Sequence, residues 1–305
     1  MDLQYTATIY LTVFALIIMI LVVRSNDLLD KDRQNRFVLT FLVIIVAALA
    51  EWMGNWMDGA SASIRFLHIV VRATEHTIAP VISVVLVSLI AGKEKAKLLW
   101  IPMVIHGIAE FASGYLGFIF YVDAENVYHH GAFYGIYVAF YLGCSLYFII
   151  EAWKFGQKCQ SSSKLILELI ILFLVTGVAF HILTSAVRVD YICLTVDSVF
   201  VYIYYTEIIE KTDSITGLLN RRSYEGYISN IRKRVQILFF DVDDFKAVND
   251  VYGHAFGDQC LKNIGSVIAE VYADSGHCYR IGGDEFCVLL NRYLDKAEEL
   301  KGRWN

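Results

Sequence analysis

Apolar residues crowd the first two thirds of this chain, and polar ones the last third. Between Thr6 and Ile209 long hydrophobic runs are broken only by short charged connections, whereas from Lys211 onward charge is spread as in a water-facing fold. A helix needs about 20 apolar residues to cross a bilayer. Seven stretches reach that length, roughly 6–23, 36–57, 66–91, 98–121, 131–153, 164–186 and 189–209. The third is expected to bend at Pro80, and the seventh carries Asp197. After residue 210 the period changes. A turn and a helix of about ten residues begin at Asp213; Val235 to Phe240 reads as a buried strand; Asp258 to Val271 has helical spacing, with Leu261, Ile264, Ile268 and Val271 inward. Two strands, His277 to Ile281 and Phe286 to Leu290, flank a glycine turn, and a further helix starts over Leu294 to Lys301. The pattern predicts a multi-domain chain. An all-α polytopic membrane bundle of about seven helices fills 1–209, and an α+β domain fills 210–305.

Composition agrees with lipid contact: 57% of residues are hydrophobic, 19% are charged and only two are proline. The net charge of −5, without any run of lysine and arginine, argues against a nucleic-acid groove. Six cysteines show neither a Cys-x-x-Cys pair nor the histidine spacing of zinc sites, so free thiols in helices and a reducing cytosol are expected. The first apolar run is followed by charged residues rather than a small-residue cleavage site, and reads as a retained helix.

Lys and Arg in the connections orient the bundle. Arg24, Lys31, Arg33 and Arg36 lie in the first, Lys93, Lys95 and Lys97 in the third, Lys154, Lys158 and Lys164 in the fifth. The alternate connections hold only Arg65 or Arg188. The expected topology is multi-pass in the inner (plasma) membrane, with the N-terminus outside and everything after Lys211 in the cytoplasm.

Ionisable side chains at membrane depth are costly unless paired or functional. His68, Arg72, Glu75 and His76 share one face of the third helix, and His106 and Glu110 one face of the fourth. Glu51 and Asp197 are further buried candidates. Two readings stay open: a polar face that senses a ligand, ions or pH, and interhelical pairing such as Arg72 with Glu75 or Glu110. Transport is a third, disfavoured by the absence of an evident internal repeat. Trp52, Trp56, Tyr121, Tyr128, Tyr134, Tyr137 and Tyr141 are expected at membrane interfaces and in packing.

The chemistry concentrates in the last third. Gly282-Gly283-Asp284-Glu285-Phe286 sits between two apolar strands, where glycines give conformational freedom and let a triphosphate approach the backbone, and carboxylates hold a divalent cation against it. A second acidic cluster, Asp241-Val242-Asp243-Asp244, ends an upstream strand. In a ferredoxin-like sheet of order β-α-α-β-β-α, the first strand lies beside the hairpin and brings both clusters together. Asp241, the Val242 carbonyl and Asp284 then form one Mg²⁺ site suited to phosphoryl transfer. The alternative for Asp243 and Asp244 is an acidic surface loop.

This segment resembles the GGDEF family of diguanylate cyclases. The likeness is carried by Asp213 to Arg221, Phe240 to Lys246, Val248 to His254, Gly257-Asp258 and Arg280 to Phe286. It implies a palm-like nucleotidyl cyclase domain in which two GTP are joined into cyclic di-GMP with release of two pyrophosphates. It also implies Mg²⁺ (or Mn²⁺) on Asp241, Val242 and Asp284, and Asp284 as acceptor of the 3′-hydroxyl proton. Lys246 is implied near the phosphates, with Asn249 and Asp258 on guanine and Phe245 and His254 beside the nucleotide. Each such domain holds one GTP, so a homodimer is implied as part of the reaction. Thr216, Asn220 and Arg221 are expected to shape the domain entrance and link it to the seventh helix.

Two departures stand out. The family's product-inhibition motif, Arg-x-x-Asp before the hairpin, is replaced by Ala273-Asp274-Ser275-Gly276. The cytosolic part is also shorter than the family implies, so a C-terminally incomplete domain is expected, either a fragment of a longer protein or a natural truncation. The rival to a cyclase is a non-catalytic membrane receptor whose domain binds nucleotide or a partner.

Overall fold

The computed structural model describes residues 3–90, 92, 96–158, 164–183, 190–232 and 234–290. The expected helix over 294–301 and the charges at Lys93, Lys95 and Arg188 lie outside the described residues. The chain divides into two compact units, 1–155 with 163–205, and 156–162 with 206–305.

The first unit is helical: α1 (Leu3–Arg24), α2 (Lys31–Met57), α3 (Arg65–Ile90), α4 (Trp100–Leu116), α5 (Tyr134–Lys158), α6 (Lys164–Leu183) and the start of α7 (Asp190–Lys211). Helix α1 is apolar all round, and Leu11, Phe14, Ile17 and Leu21 are exposed, as suits a face toward lipid. Asp30 caps α2 by accepting from the Arg33 N–H at 2.8 Å. Small residues let helices approach: a Cβ on Gly114 would come 2.4 Å from Ile69, and one on Gly107 3.0 Å from Thr77. Helix α3 runs through Pro80 in its interior.

Among the described residues, five helical segments are long and apolar enough to cross a membrane, Leu3–Arg24, Lys31–Met57, Ala62–Ile90, Tyr134–Phe155 and Tyr191–Lys211. The expected fourth span, 98–121, is corrected. Its helix stops at Leu116 because Gly117 takes a left-handed conformation (φ 78°). The chain then turns into a hairpin, β1 (Phe120–Val122) and β2 (Tyr128–His130), that hydropathy alone does not distinguish from helix. The Ser113 hydroxyl fastens it to α4, accepting from the Ile119 and Phe120 N–H groups at 2.7 and 2.9 Å.

The second unit carries β3 (Leu219–Asn220), α8 (Arg221–Asn230), β4 (Gln236–Asp241), α9 (Phe245–Tyr252), α10 (His254–Tyr272), β5 (Gly276–Arg280) and β6 (Glu285–Leu290). The mixed sheet has the order β3-β5-β6-β4, with β3 parallel to β5 and the other pairs antiparallel. On one face Leu261, Ile268, Val271 and Tyr272 of α10 pack against Cys278, Phe286, Val288 and Leu290. On the other, Tyr224, Tyr227 and Ile228 of α8 pack against Tyr279, Cys287 and Leu289. Burial of β6 on both faces explains its unbroken apolar run from Phe286 to Leu290. Strand β4 is not the buried strand that its run suggests. Among the described residues it pairs with β6 alone, and Ile237 and Phe239 point outward, Phe239 being 63% exposed. Cys278 and Cys287 are likewise on strands rather than helices.

Candidate functional site

Register decides the site. Strand β4 ends at Asp241 directly opposite Glu285 on β6, the pairing continuing through Phe240 with Phe286 and Phe239 with Cys287. Opposed residues in such a ladder lie about 4.5–5.5 Å apart at Cα. Asp284 precedes Glu285, so the acidic end of β4 and the glycine turn share one end of the sheet. After Asp241 the backbone turns sharply into α9, with Asp244 at φ 52°, one of two non-glycine residues at positive φ among the described residues.

The glycine turn is closed by the Ile281 N–H on the Glu285 carbonyl at 3.0 Å. Neither Gly282 nor Gly283 lies at positive φ, so the expected conformational role of these glycines is corrected to a spatial one. A Cβ on Gly282 would meet the Glu285 carboxylate at 2.3 Å, and nothing lies within 4 Å of one on Gly283. The turn is thus bare on its Gly283 side, where a phosphate can reach the backbone.

Arg280 holds this turn to the domain entrance. Its Nη2 donates to the Gly283 carbonyl at 2.7 Å, and its Nη1 reaches both Asp213 carboxylate oxygens at 3.0 and 3.2 Å. Asp213 also accepts from the Thr216 N–H and hydroxyl, at 2.9 and 2.8 Å. Partial burial works against its charge, but the Thr216 N–H and the Arg280 guanidinium outweigh this and hold the carboxyl below its usual range. No role was assigned to Arg280 from sequence; an arginine directly before the turn was the available signal. At the entrance, the Asn220 amide donates to the Glu210 carbonyl of α7 at 2.7 Å while its oxygen caps α8 through the Ser223 N–H. Arg221 does not take part in that link, pairing instead with Glu225 on the surface.

Helices α9 and α10 meet where Gly257 lacks a side chain. A Cβ there would lie 2.1 Å from Asn249 Oδ1 and 3.2 Å from the Phe245 ring, so the Asn249 amide rests over Gly257, beside Asp258. Phe245 packs against the sheet core as well, which makes its ring a support of this contact. Lys246 is exposed on the first turn of α9, and His254 is exposed at the start of α10. Among the described residues no group of three or more His, Cys, Asp and Glu converges as a ready metal cage. Two exposed-side carboxylates with one carbonyl still fit a hard cation that keeps water or phosphate oxygens in its remaining positions.

In the first unit the ionisable residues of α3 and α4 form two neighbouring clusters. Arg72 donates to Glu75 at 2.9 Å and Asn55 at 2.8 Å, contacts His68 at 3.3 Å, and lies 4.7 Å over the Tyr128 ring. His68 binds Asn126 at 3.1 Å. Glu110 does not pair with Arg72: its Oε2 lies 3.1 Å from His76 Nδ1. Tyr128, Tyr134 and Tyr137, expected at membrane interfaces and in packing, pack around His76, with Tyr137 stacked on it at 4.4 Å.

Residues 210–305 match the family described as diguanylate cyclase, GGDEF domain. The stretch is a GGDEF domain with diguanylate cyclase homologues, preceded by a helical region with candidate apolar helices. Diguanylate cyclase VdcA from Vibrio cholerae is 39% identical over 80 residues, covering 25% of this chain and 24% of VdcA. Cyclic di-GMP phosphodiesterase PdeR from Escherichia coli is 39% identical over 97 residues, covering 30% of this chain and 15% of PdeR. A solved GGDEF domain of TpbB from Pseudomonas aeruginosa is 40% identical with a TM-score of 0.27, covering 30% of this chain and 56% of that one.

Proposed function

We propose that this chain is a membrane-bound diguanylate cyclase, condensing two GTP into cyclic di-GMP and two pyrophosphates under control of its helical region. The carrying observation is the β4–β6 register, which sets Asp241 against the Asp284-Glu285 turn. Asp241, the Val242 carbonyl and Asp284 would hold Mg²⁺ or Mn²⁺, which when bound neutralises phosphate charge. Asp284 accepts the proton of the attacking 3′-hydroxyl. Lys246 adds positive charge near the phosphates. Asp258 accepts from the guanine N1 and N2 donors, and Asn249 serves the other polar edge. His254 flanks the nucleotide. Catalysis requires a homodimer, since one domain holds one GTP.

In this reading the apolar helices lie in the inner membrane, the N-terminus is outside and the GGDEF domain is cytoplasmic. Helix α7 reaches Lys211 without a break, and Asn220 ties its last turn to α8, which supports transmission along the chain. A second reading, a non-catalytic receptor that binds nucleotide, is favoured by the equal likeness of this stretch to a protein named as a phosphodiesterase. Formation of cyclic di-GMP from GTP and Mg²⁺ by the detergent-purified chain, lost in Asp284→Ala, supports the cyclase. Nucleotide binding without product supports the receptor.

A further inference from the structure

We propose that the α8 side of the second unit is a docking surface for the anionic lipid headgroups of the membrane that holds the apolar helices. The inference rests on the membrane reading above. Charge on this unit is split along the chain. Residues 221–234 carry Arg221, Arg222, Arg232, Lys233 and Arg234 against Glu225 alone, whereas residues 235–290 carry nine Asp and Glu against three Lys and Arg. The Arg232-Lys233-Arg234 triplet is too short to line a nucleic-acid groove. A domain so divided is nonetheless oriented by a charged plane, its basic stretch drawn in and its acidic stretch repelled.

The fold turns this split into two faces. Tyr224, Tyr227 and Ile228 point inward from α8 onto Tyr279, Cys287 and Leu289, which leaves Arg222 on the exposed side of the helix. Arg232 and Arg234 are exposed in the connection from α8 to β4. Helix α10, with Asp258, packs on the opposite face of the sheet. Arg221 is taken by Glu225 at 2.8 Å, but Arg222, Arg232 and Arg234 have no ion pair among the described residues. Basic groups close to a membrane helix are attracted to an anionic leaflet. Arg222 follows Lys211, the last residue of α7, by 11 positions, so the tether keeps this surface at a high effective concentration near the leaflet.

The shape of the α8 side suits headgroups as well. Gly226 stands inside α8, where glycine weakens a helix, and a Cβ there would meet nothing within 4 Å. No described neighbour therefore calls for its bareness. Beside it Gly226, Tyr227, Asn230, Ile231 and Arg232 line an open hollow of about 570 Å³. Half-buried Tyr227 and Ile231 give apolar walls, and the exposed Arg232 guanidinium suits a phosphodiester, so the lining matches the junction between headgroup and glycerol. A domain docked by α8 keeps α10 and Asp258 on its far side, open to nucleotide.

Arginine-selective dicarbonyl labelling of the full chain in lipid nanodiscs, read residue by residue by mass spectrometry, tests the surface. In discs of phosphatidylcholine with phosphatidylglycerol, labelling of Arg222, Arg232 and Arg234 is expected to fall about fivefold or more below that in phosphatidylcholine alone. Acylation of exposed Lys262 on α10 should be the same in both. Raising salt from about 0.05 M to about 0.5 M should restore the labelling. In the double variant Arg232→Gln with Arg234→Gln, the protection of Arg222 should be lost while circular dichroism is unchanged. Equal labelling in the two lipids overturns the proposal, as does a double variant in which Arg222 stays protected. Protection already present in phosphatidylcholine assigns the face to a second copy of the chain, and equal protection by soluble inositol hexakisphosphate assigns it to a free polyphosphate; either overturns lipid docking. A chain that does not enter nanodiscs removes the membrane reading and this proposal together. One that enters them, makes cyclic di-GMP and labels alike in both lipids removes the docking surface alone.

Discussion

Asp241 faces Glu285 across the β4–β6 ladder, one residue from Asp284. Two carboxylates thereby share one sheet end although Asp241 and Asp284 lie 43 positions apart in the chain. Removing either Asp241 or Asp284, as Asp→Ala, is expected to lower cyclic di-GMP formation by about 10²-fold or more, since each is asked to support charge at the transferring phosphoryl group. Product assays at saturating Mg²⁺, with circular dichroism to confirm folding, check this. Wild-type turnover in either variant would remove the site.

Arg280 joins the Gly283 carbonyl to the Asp213 carboxylate. Hydrogen bonds to charged groups contribute about 1.5–3 kcal/mol, so Arg280→Ala should destabilise the second unit by about 2 kcal/mol and loosen the turn. Arg280→Lys should restore little, because an ammonium cannot span both partners. Denaturant titrations of the three proteins give the comparison.

The same link sets an acid limit. Asp213 is held below its usual range when folded, so its contribution is present above about pH 3.9, the unfolded carboxylate value, and is lost as pH falls through the lower folded value. Asp213→Asn should flatten the acid limb of stability against pH in that window, with little change in slope above about pH 5. An acid limb identical to wild type would exclude Asp213 as its source.

Gly257→Ala tests the contact between α9 and α10. The new Cβ would fall 2.1 Å from Asn249 Oδ1, the far end of a side chain, so the fold yields at small cost while the amide is displaced. The KM for GTP is expected to rise about tenfold or more, with stability nearly unchanged, because a shift of about 1 Å in a positioning group is costly. An unaltered KM would detach Asn249 from nucleotide binding.

Cys278 and Cys287 are fully buried in the sheet, and burial pushes the Cys287 thiol up to about 12. Both should resist alkylation at neutral pH until the sheet opens, while half-buried Cys260 reacts first. Mass spectrometry of labelled peptides along a denaturant series reads this order. Early labelling of Cys287 would contradict the packing of β6.

Much of the arrangement is local in origin and can be read without coordinates. Long apolar runs mark helices, and the runs read at 235–240, 277–281 and 286–290 fall within a residue of the observed strands, because side-chain periodicity is a property of neighbouring residues. The acidic and glycine motifs stand in the chain as contiguous words, so Asp241 and Asp284 were nameable together, and the family resemblance added Asn249 and Asp258. Contacts between distant residues were not. The Gly117 break and the hairpin after it depend on Ser113 capturing the chain from α4. The exposure of Phe239 depends on β4 lying last in the sheet order of the described strands, beyond the cover of α8. Arg280 acquired its partners only when the entrance turn at Asp213 met the hairpin, 67 residues apart. The apolar pattern by itself determined where most long helices and the strands of the last third fall, and which third of the chain carries the chemistry, but not the hairpin after Gly117. Tertiary structure alone decided that Glu110 answers to His76 rather than Arg72, since a buried charge is settled by whichever partner packing brings within hydrogen-bond reach.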